Sequence, residues 1–149
     1  MGSLILCDVN VWLAFVLTTH GHHRAVKSWF DKLGDGESLL FCRSTQQGFL
    51  RLLTTEGLLR KYGHPPLNNT DAVNLYRKIM ADDRVTFEAA EPPGTEALWF
   101  QLAARNTASP KLWMDAYLAA FAMAGGHSLA TFDQAFRQFD GLDLRLLQD

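Results

Sequence analysis

Apolar and polar positions follow two patterns along the chain, and the first of them predicts strands. Short apolar runs bounded by turn-forming residues are typical of strands that pack inside a sheet. One such run begins at Ser3 and stops at Asp8. The later predicted strands cover residues 38–42, 84–88, 128–132 and 142–147.

The second pattern places apolar residues on one face at helical spacing between these strands. Predicted helices begin at about residue 11, span 22–33, run from 44 to about 61, and then cover 70–81, 95–105 and 112–124. The last helix is apolar around nearly its whole circumference, which predicts burial on most sides. This succession predicts a three-layer α/β/α fold with a central parallel sheet of four to five strands.

Length and composition limit the class of protein. With 149 residues, 48% of them hydrophobic, the chain is expected to form a single domain over residues 1–149. No apolar run approaches the roughly 20 residues of a membrane span, and the N-terminus lacks a signal-peptide pattern. We therefore predict a cytoplasmic protein without a membrane partner. Met1-Gly2-Ser3 is interpreted as a native start or a cloning remnant, not as a lipidation signal.

Charge and metal-binding residue types narrow the choice further. The formal net charge of −2 argues against a protein that coats nucleic acid through bulk charge, although it permits a local grip on phosphates. Cys7 and Cys42 fall in predicted strands and are expected to be reduced core thiols. His20, His22 and His23 lack the spacing of zinc ligands and are interpreted as a polar helix start.

Three aspartates are candidates for chemistry. Asp8 and Asp133 each follow an apolar strand, so both are expected at the carboxyl edge of the sheet, where open α/β folds bind ligands. Asp115 is the only residue between 113 and 124 that is charged at neutral pH, and burying a lone carboxylate is costly. Structural alternatives exist: Asp8 or Asn10, and Asp133, as helix caps, and Asp115 as a first-turn acid favoured by the helix dipole.

Carboxylates that meet at one sheet edge repel one another unless a cation neutralises them. Mg²⁺ and Mn²⁺ prefer carboxylate and water oxygens, so one of these ions is the expected cofactor. A site of this kind orients phosphate oxygens and activates water for hydrolysis of a phosphodiester. The three aspartates therefore predict a metal-dependent hydrolase.

Four segments of the sequence resemble the PIN-domain family, and most closely the VapC-type toxins of type II toxin–antitoxin pairs. They are Asp8-Val9-Asn10-Val11, residues 42–51, residues 113–120 and residues 129–133. The resemblance implies a metal-dependent endoribonuclease in which Asp8, Asp115 and Asp133 hold Mg²⁺ or Mn²⁺ and carry out catalysis. It also implies tRNA or rRNA as substrate, a homodimer, and a VapB-type antitoxin whose tail blocks the acidic pocket.

One position departs from the commonest PIN-domain pattern. Many relatives carry a second acid on the helix after the second strand, where this chain has Gln46. An amide can hold a water or a phosphate oxygen, but the missing charge should weaken metal binding. Asn10 and Thr131 flank the acids and are expected to support them. Arg43 and Arg51 are candidates for contacts to RNA phosphates.

Two other functions fit part of the sequence. An aspartate phosphatase or a receiver also has an acid after its first strand, but the phosphatase needs another acid at position 10, and the receiver needs a lysine near the last strands. The remaining alternative is a non-catalytic PIN-like binding module that has lost an acid at Gln46 and uses the others to bind a partner's arginines.

Overall fold

A five-stranded parallel sheet forms the centre of the computed structural model, which describes residues 3–148. Its strands are β1 Ser3–Cys7, β2 Glu37–Cys42, β3 Val85–Glu88, β4 Ser128–Thr131 and β5 Leu144–Leu146. The spatial order is β3-β2-β1-β4-β5, and every pairing is parallel. The predicted fold class is confirmed, with five strands. The interpretation of Met1 and Gly2 lies outside the described residues.

Helices cover both faces of the sheet. They are α1 Val9–Val16, α2 His23–Asp31, α3 Arg43–Leu53, α4 Glu56–Lys61, α5 Asn69–Met80, α6 Thr95–Ala103, α7 Leu112–Gly125 and a 3₁₀ helix, Gln134–Gln138. Successive side chains of a strand point to opposite faces, so Ile5 and Cys7 enter the core under α1, α2, α3 and α5, whereas Leu6 enters the core under α6 and α7. Burial of both faces explains why the strands read as continuous apolar runs.

The order of the strands reverses between β1 and β4. Strands β2 and β3 lie on one side of β1, and β4 and β5 lie on the other. In open parallel sheets the crevice beyond the carboxyl ends of the strands at such a reversal is the usual ligand site. Asp8 and Asp133, which follow β1 and β4, flank this crevice.

Several helix boundaries differ from their predicted positions because polar side chains bind the backbone. Helix α1 begins at Val9, not near residue 11, since Asp8 caps it. The predicted helix over 44–61 is two helices, because the Thr54 and Thr55 hydroxyls donate to the carbonyls of Leu50 (3.0 Å) and Arg51 (2.8 Å) at the break.

Two further boundaries were wrong by one or two residues. Helix α5 is capped by Asn68, while Asp71 accepts a hydrogen bond in return from the backbone of Asn68. Helix α6 ends at Ala103, two residues before the predicted end.

Helix α7 is less deeply buried than its composition predicts. Trp113 and Met114 expose 49% and 64% of their surface, although the rest of its apolar residues pack on the sheet. The indole of Trp99 on α6 donates to the carbonyl of Trp113 (2.8 Å), which fixes the first turn of α7 against α6. The burial on most sides predicted for this helix therefore does not extend to Trp113 and Met114.

The two cysteines lie in the core, and two of the histidines stack on aromatic rings. Cys7 and Cys42 are free and buried, as predicted. The ring of His20 stacks on Tyr62 and the ring of His22 stacks on Phe132, with 4.2 Å between ring centroids in each pair. Among the helices of residues 3–148, none is long and apolar enough to cross a membrane.

Candidate active site

Asp8 lies between β1 and α1 and is held on three sides. Its backbone N–H donates to the carbonyl of Ala130 (2.9 Å), which extends the pairing of β1 with β4. Its Oδ1 accepts from the N–H of Val9 and its Oδ2 accepts from the Thr131 hydroxyl, both at 2.8 Å. Burial raises the pKa of Asp8, these two hydrogen bonds oppose the rise, and the charge of Asp133 adds to it.

Thr131 joins the two ends of the crevice. It is fully buried at the end of β4. Its Oγ1 donates to Asp8 and accepts from the backbone N–H of Asp133 (3.0 Å) and from the amide of Asn10 (3.3 Å). The Asn10 carbonyl oxygen accepts from the N–H of Phe132 at 3.4 Å. Thr131 thus bonds both aspartates directly, whereas Asn10 contacts Thr131 and Phe132; their supporting role in the site stays a prediction.

Asp115 lies in the first turn of α7, beside the same crevice. The sequence Leu112 to Ala122 buries most of the helix against β1 and β4 and leaves the Asp115 side chain half-buried. Burial, followed by the charges of Asp8 and Asp133, raises its pKa to about 6 from an ordinary value of 3.8. The charges of Asp8 and Asp133 thus both act on Asp115, as expected for acids that lie near one another.

Asp133 is the most exposed of the three acids. Its Oδ1 accepts from the N–H of Ala135 (2.9 Å) and caps the 3₁₀ helix. Asp8 and Asp133 therefore both act as helix caps, as the structural alternative predicted. Their charges nevertheless act on Asp115, so the capping role and membership of an acidic site are compatible.

The chemistry of these residues fits a hard divalent cation. Carboxylate, hydroxyl and amide oxygens are the donors that Mg²⁺ and Mn²⁺ prefer. Within residues 3–148, however, no group of three His, Cys, Asp or Glu side chains is arranged so that it could hold a metal ion. Mg²⁺ usually retains several waters and needs only one or two carboxylates, so an open arrangement suits a hydrated ion. The metal assignment stays a prediction.

A groove that includes two of the acids was not identified by sequence analysis. It has a volume of about 510 Å³ and lies between the α6–α7 connection and the 3₁₀ helix. Its lining includes Asp115 and Asp133 together with Arg105, Lys111 and Gln138. Arg105 donates through Nη2 to the Gln138 side chain across the groove. These residues are distant in sequence, so spacing gave no signal for the groove.

Gln46 lies on the side of the crevice opposite the groove and forms hydrogen bonds with its neighbours. Its side-chain oxygen accepts from Nη1 of Arg43. Burial raises the pKa of Tyr76, and a hydrogen bond from Gln46 and the charge of Arg43 oppose this rise. Arg43 itself lies over the ring of Phe87, 4.7 Å from its centroid. The structure thus places Gln46 in contact with Arg43 and Tyr76, and its predicted role toward a metal stays untested.

The two predicted phosphate-binding arginines differ in position. Arg43 begins α3 directly after β2, the neighbour of β1, so it lies at the same sheet edge as Asp8. Arg51 is eight residues further along α3, about 12 Å along the helix axis, and lines a groove with residues of α5. Arg43 is therefore much better placed than Arg51 to contact a substrate at the acids.

Comparison with known proteins identifies the family of the chain. The PIN domain family matches residues 5–142 of the chain. A relative from Mycobacterium tuberculosis, called Ribonuclease VapC41, is 50% identical over 144 residues, which cover 97% of this chain and 99% of the relative. The alignment thus includes all three aspartates and the groove.

Solved structures with low sequence identity share the fold. VapBC2 from Rickettsia felis, bound to a promoter DNA fragment, has a TM-score of 0.65 at 11% identity and covers 97% of this chain and 99% of its own. VapC20 from Mycobacterium tuberculosis, described as a toxin that cleaves the Sarcin-Ricin loop, has a TM-score of 0.64 at 18% identity and covers 95% of this chain and 98% of its own. The predicted family is confirmed: the chain belongs to the PIN-domain family, in its VapC-type branch.

Proposed function

We propose that the protein is a metal-dependent endoribonuclease, the toxin of a type II toxin–antitoxin pair, and that Asp8, Asp115 and Asp133 form its catalytic and metal-binding site. The observation that carries the proposal is the position of Asp8 and Asp133 directly after β1 and β4, where the strand order reverses, with Asp115 half-buried beside them and subject to both charges. The 50% identity to a relative named a ribonuclease supports the activity. Structured RNA, such as tRNA or rRNA, is the expected substrate.

The side chains of the site divide the chemical work. A bound Mg²⁺ or Mn²⁺ supplies Lewis-acid stabilisation of the charge that develops on the phosphate. Asp8 would hold the cation from the rigid side, because Thr131 and Val9 fix its carboxylate. Asp133 would do so from the exposed side. Asp115, with a pKa of about 6, loses its proton just below neutral pH and completes the negative charge of the site.

The partners proposed for the chain follow from its family. We expect a small VapB-type antitoxin whose tail enters the acidic crevice, and we expect the chain to form a homodimer. Solved relatives include a VapBC2 assembly, which supports the first expectation. Light scattering of the purified chain tests the second. The cytoplasmic location predicted from the sequence stays a prediction.

Cleavage of RNA by purified variants tests the proposed function. Wild-type protein is incubated with total tRNA and rRNA in Mn²⁺, in Mg²⁺ and in EDTA. We expect cleavage only with a metal, and its loss in Asp8→Asn and Asp115→Asn. Asp140→Asn, which changes an exposed acid outside the crevice, is the matched control and should cleave like the wild type.

Metal titration separates the nuclease from the non-catalytic alternative. A nuclease of this kind should bind Mn²⁺ saturably, and the binding should depend on Asp8. Unchanged cleavage in both crevice variants would remove the catalytic assignment. An intact chain that neither binds Mn²⁺ nor cleaves RNA would instead favour a binding module.

A further inference from the structure

We propose that the groove between the α6–α7 connection and the 3₁₀ helix binds the RNA backbone beside the scissile phosphate, and that Arg105 and Lys111 are its phosphate-binding residues. This inference rests on the proposed ribonuclease function. It adds a path for the substrate and two residues whose roles sequence analysis did not predict.

The groove includes two of the acids. Asp115 and Asp133 line it together with Arg105, Ser109 and Lys111. An RNA strand whose scissile phosphate lies at the acids would therefore have a neighbouring phosphate within the groove. A volume of about 510 Å³ is in the range of sites that hold ligands of drug size, which is large enough for a nucleotide unit.

The two cations are available for phosphate. Both side chains are exposed, and neither forms an ion pair with another residue between 3 and 148. Gln138 orients the Arg105 guanidinium but is neutral, so the contact leaves the charge of Arg105 uncompensated. A guanidinium has five N–H donors, so those not bonded to Gln138 can contact phosphate oxygens.

The positive charge of Arg105 and Lys111 also reduces the repulsion between the acids and an RNA strand. The protein has a formal net charge of −2, and three acids meet at the crevice, so an RNA strand approaching the acids alone is repelled. Local cations beside the acids offset this repulsion for the phosphates that flank the cleavage position. Arg43 can serve the opposite side of the crevice, whereas Arg51 lies two helical turns away.

Salt-dependent RNA binding tests the proposal without any cleavage. The probe is fluorescein-labelled oligo(U), and affinity is measured by anisotropy in EDTA over a range of KCl concentrations. For single strands, each lost phosphate contact reduces the slope of log K against log salt by about 0.7. We expect this reduction in Arg105→Ala and in Lys111→Ala, and about twice the reduction in the double variant.

Matched variants show whether the effect belongs to the groove. Arg77→Ala and Lys61→Ala remove exposed cations from α5 and α4 and should leave the slope unchanged. Arg105→Lys and Lys111→Arg keep the charge and should also keep most of the slope. Thermal melts establish that every variant is folded, as expected for changes of exposed side chains.

Two results would overturn the proposal. The first is a folded double variant that binds oligo(U) with the same affinity and the same salt slope as the wild type, even if the variant binds a protein partner less well. The second is failure of the wild type to bind oligo(U) even at low salt. Metal-dependent cleavage by the wild type is scored separately, so the groove can fail while the nuclease assignment stands. If the wild type binds oligo(U) but never cleaves RNA, and the double variant loses this binding, the groove proposal stands and the nuclease assignment fails.

Discussion

Asp115 is the carboxyl group whose charge the fold disfavours most clearly. A carboxyl group with a pKa of about 6 when folded and an ordinary value of 3.8 binds its proton more tightly in the folded protein than in the unfolded chain. In this situation stability is gained as pH falls from about 6 toward 4 and is lost as pH rises through this window. Without metal, Asp115 is thus destabilising at neutral pH.

Removing this charge should stabilise the metal-free protein. Asp115→Asn is expected to melt at a higher temperature than the wild type at pH 7 in EDTA, and the two should converge near pH 4. Thermal melts followed by circular dichroism over this pH range are the measurement. Asp140→Asn serves as the control, and equal melting temperatures of Asp115→Asn and wild type at pH 7 would show that neither burial nor the neighbouring acids disfavour the charge of Asp115.

Thr131 provides a second prediction at the scale of single residues. Thr131→Val removes a buried hydroxyl that bonds Asp8, the backbone of Asp133 and Asn10. Leaving buried polar groups without a partner costs about 1–3 kcal/mol, so the free energy of unfolding in urea should fall by that amount. RNA cleavage should fall with it, because Asp8 loses the bond that fixes its Oδ2.

Thr131→Ser tests whether the hydroxyl or the shape of the side chain matters. It keeps the hydroxyl and removes one buried methyl group, so it should lose about 1 kcal/mol and retain cleavage. If valine were tolerated better than serine, packing and not hydrogen bonding would be the main contribution of this residue.

The sequence predicted that the acids lie near one another, but it predicted their local roles incompletely, and their catalytic role stays a prediction. An apolar run ending in aspartate predicts both a helix cap and a site residue, and the structure shows that Asp8 and Asp133 are caps whose charges also reach Asp115. Two functions of one side chain cannot be separated by inspecting neighbours in sequence. Gln46 illustrates the same limit, because its contact with Tyr76 depends on how α3 packs on α5.

At the scale of elements, α3 approaches α1 closely at one glycine. A Cβ atom built on Gly48 would lie 2.9 Å from Cγ2 of Val9, the first residue of α1 and the neighbour of Asp8. Val9 is β-branched and cannot easily rotate away within a helix. Gly48 therefore determines how near α3 lies to Val9 and thus to the adjacent Asp8.

Gly48→Ala should destabilise the protein although alanine favours helices. The clash is expected to outweigh the helix-propensity gain of about 1 kcal/mol, and the displaced first turn of α1 should lower RNA cleavage. Gly57→Ala is the matched control on α4, where the added Cβ meets no atom within 4 Å, and it should stabilise by about 0.5–1 kcal/mol. Stabilisation of similar size by both substitutions would contradict the close contact at Val9.

Strands and helices were predictable wherever burial imposed a period. All five strands and the order of the helices followed from apolar patterns, because each element buries one face or both. The break at Thr54 and Thr55 was not predictable in this way. Both flanking segments are amphipathic, and the break depends on hydroxyl groups that bond back to the preceding turn.

At the scale of the whole molecule, metal binding and stability should be linked. A ligand that binds only the folded state at 100 times its Kd adds about 2.7 kcal/mol, which corresponds to a rise of roughly 5–10 °C in Tm for a chain of this size. Mn²⁺ should produce this shift in the wild type and in Asp140→Asn. Differential scanning fluorimetry of Asp8→Asn should show little shift, and an equal shift in that variant would mean that the ion binds elsewhere.

The proposed RNA groove could be seen only at this scale. Arg105 follows α6, Lys111 precedes α7, and Gln138 ends the 3₁₀ helix, so the groove exists only after the chain has folded back on itself. Net charge was equally uninformative, because two local cations hardly alter a total of −2. A single sequence does not show which residues distant along the chain lie close together in the folded protein.

The pairing of β1 with β4 also determines when during synthesis a dangerous enzyme can arise. Asp133 follows Asp8 by 125 residues, so a ribosome joins Asp8 long before it joins Asp133. Strand β1 has no β4 beside it until then, so the crevice has one wall. A nascent chain, or one truncated before β4, therefore carries the first acid without the second wall of the crevice, and the proposed activity should be absent from it.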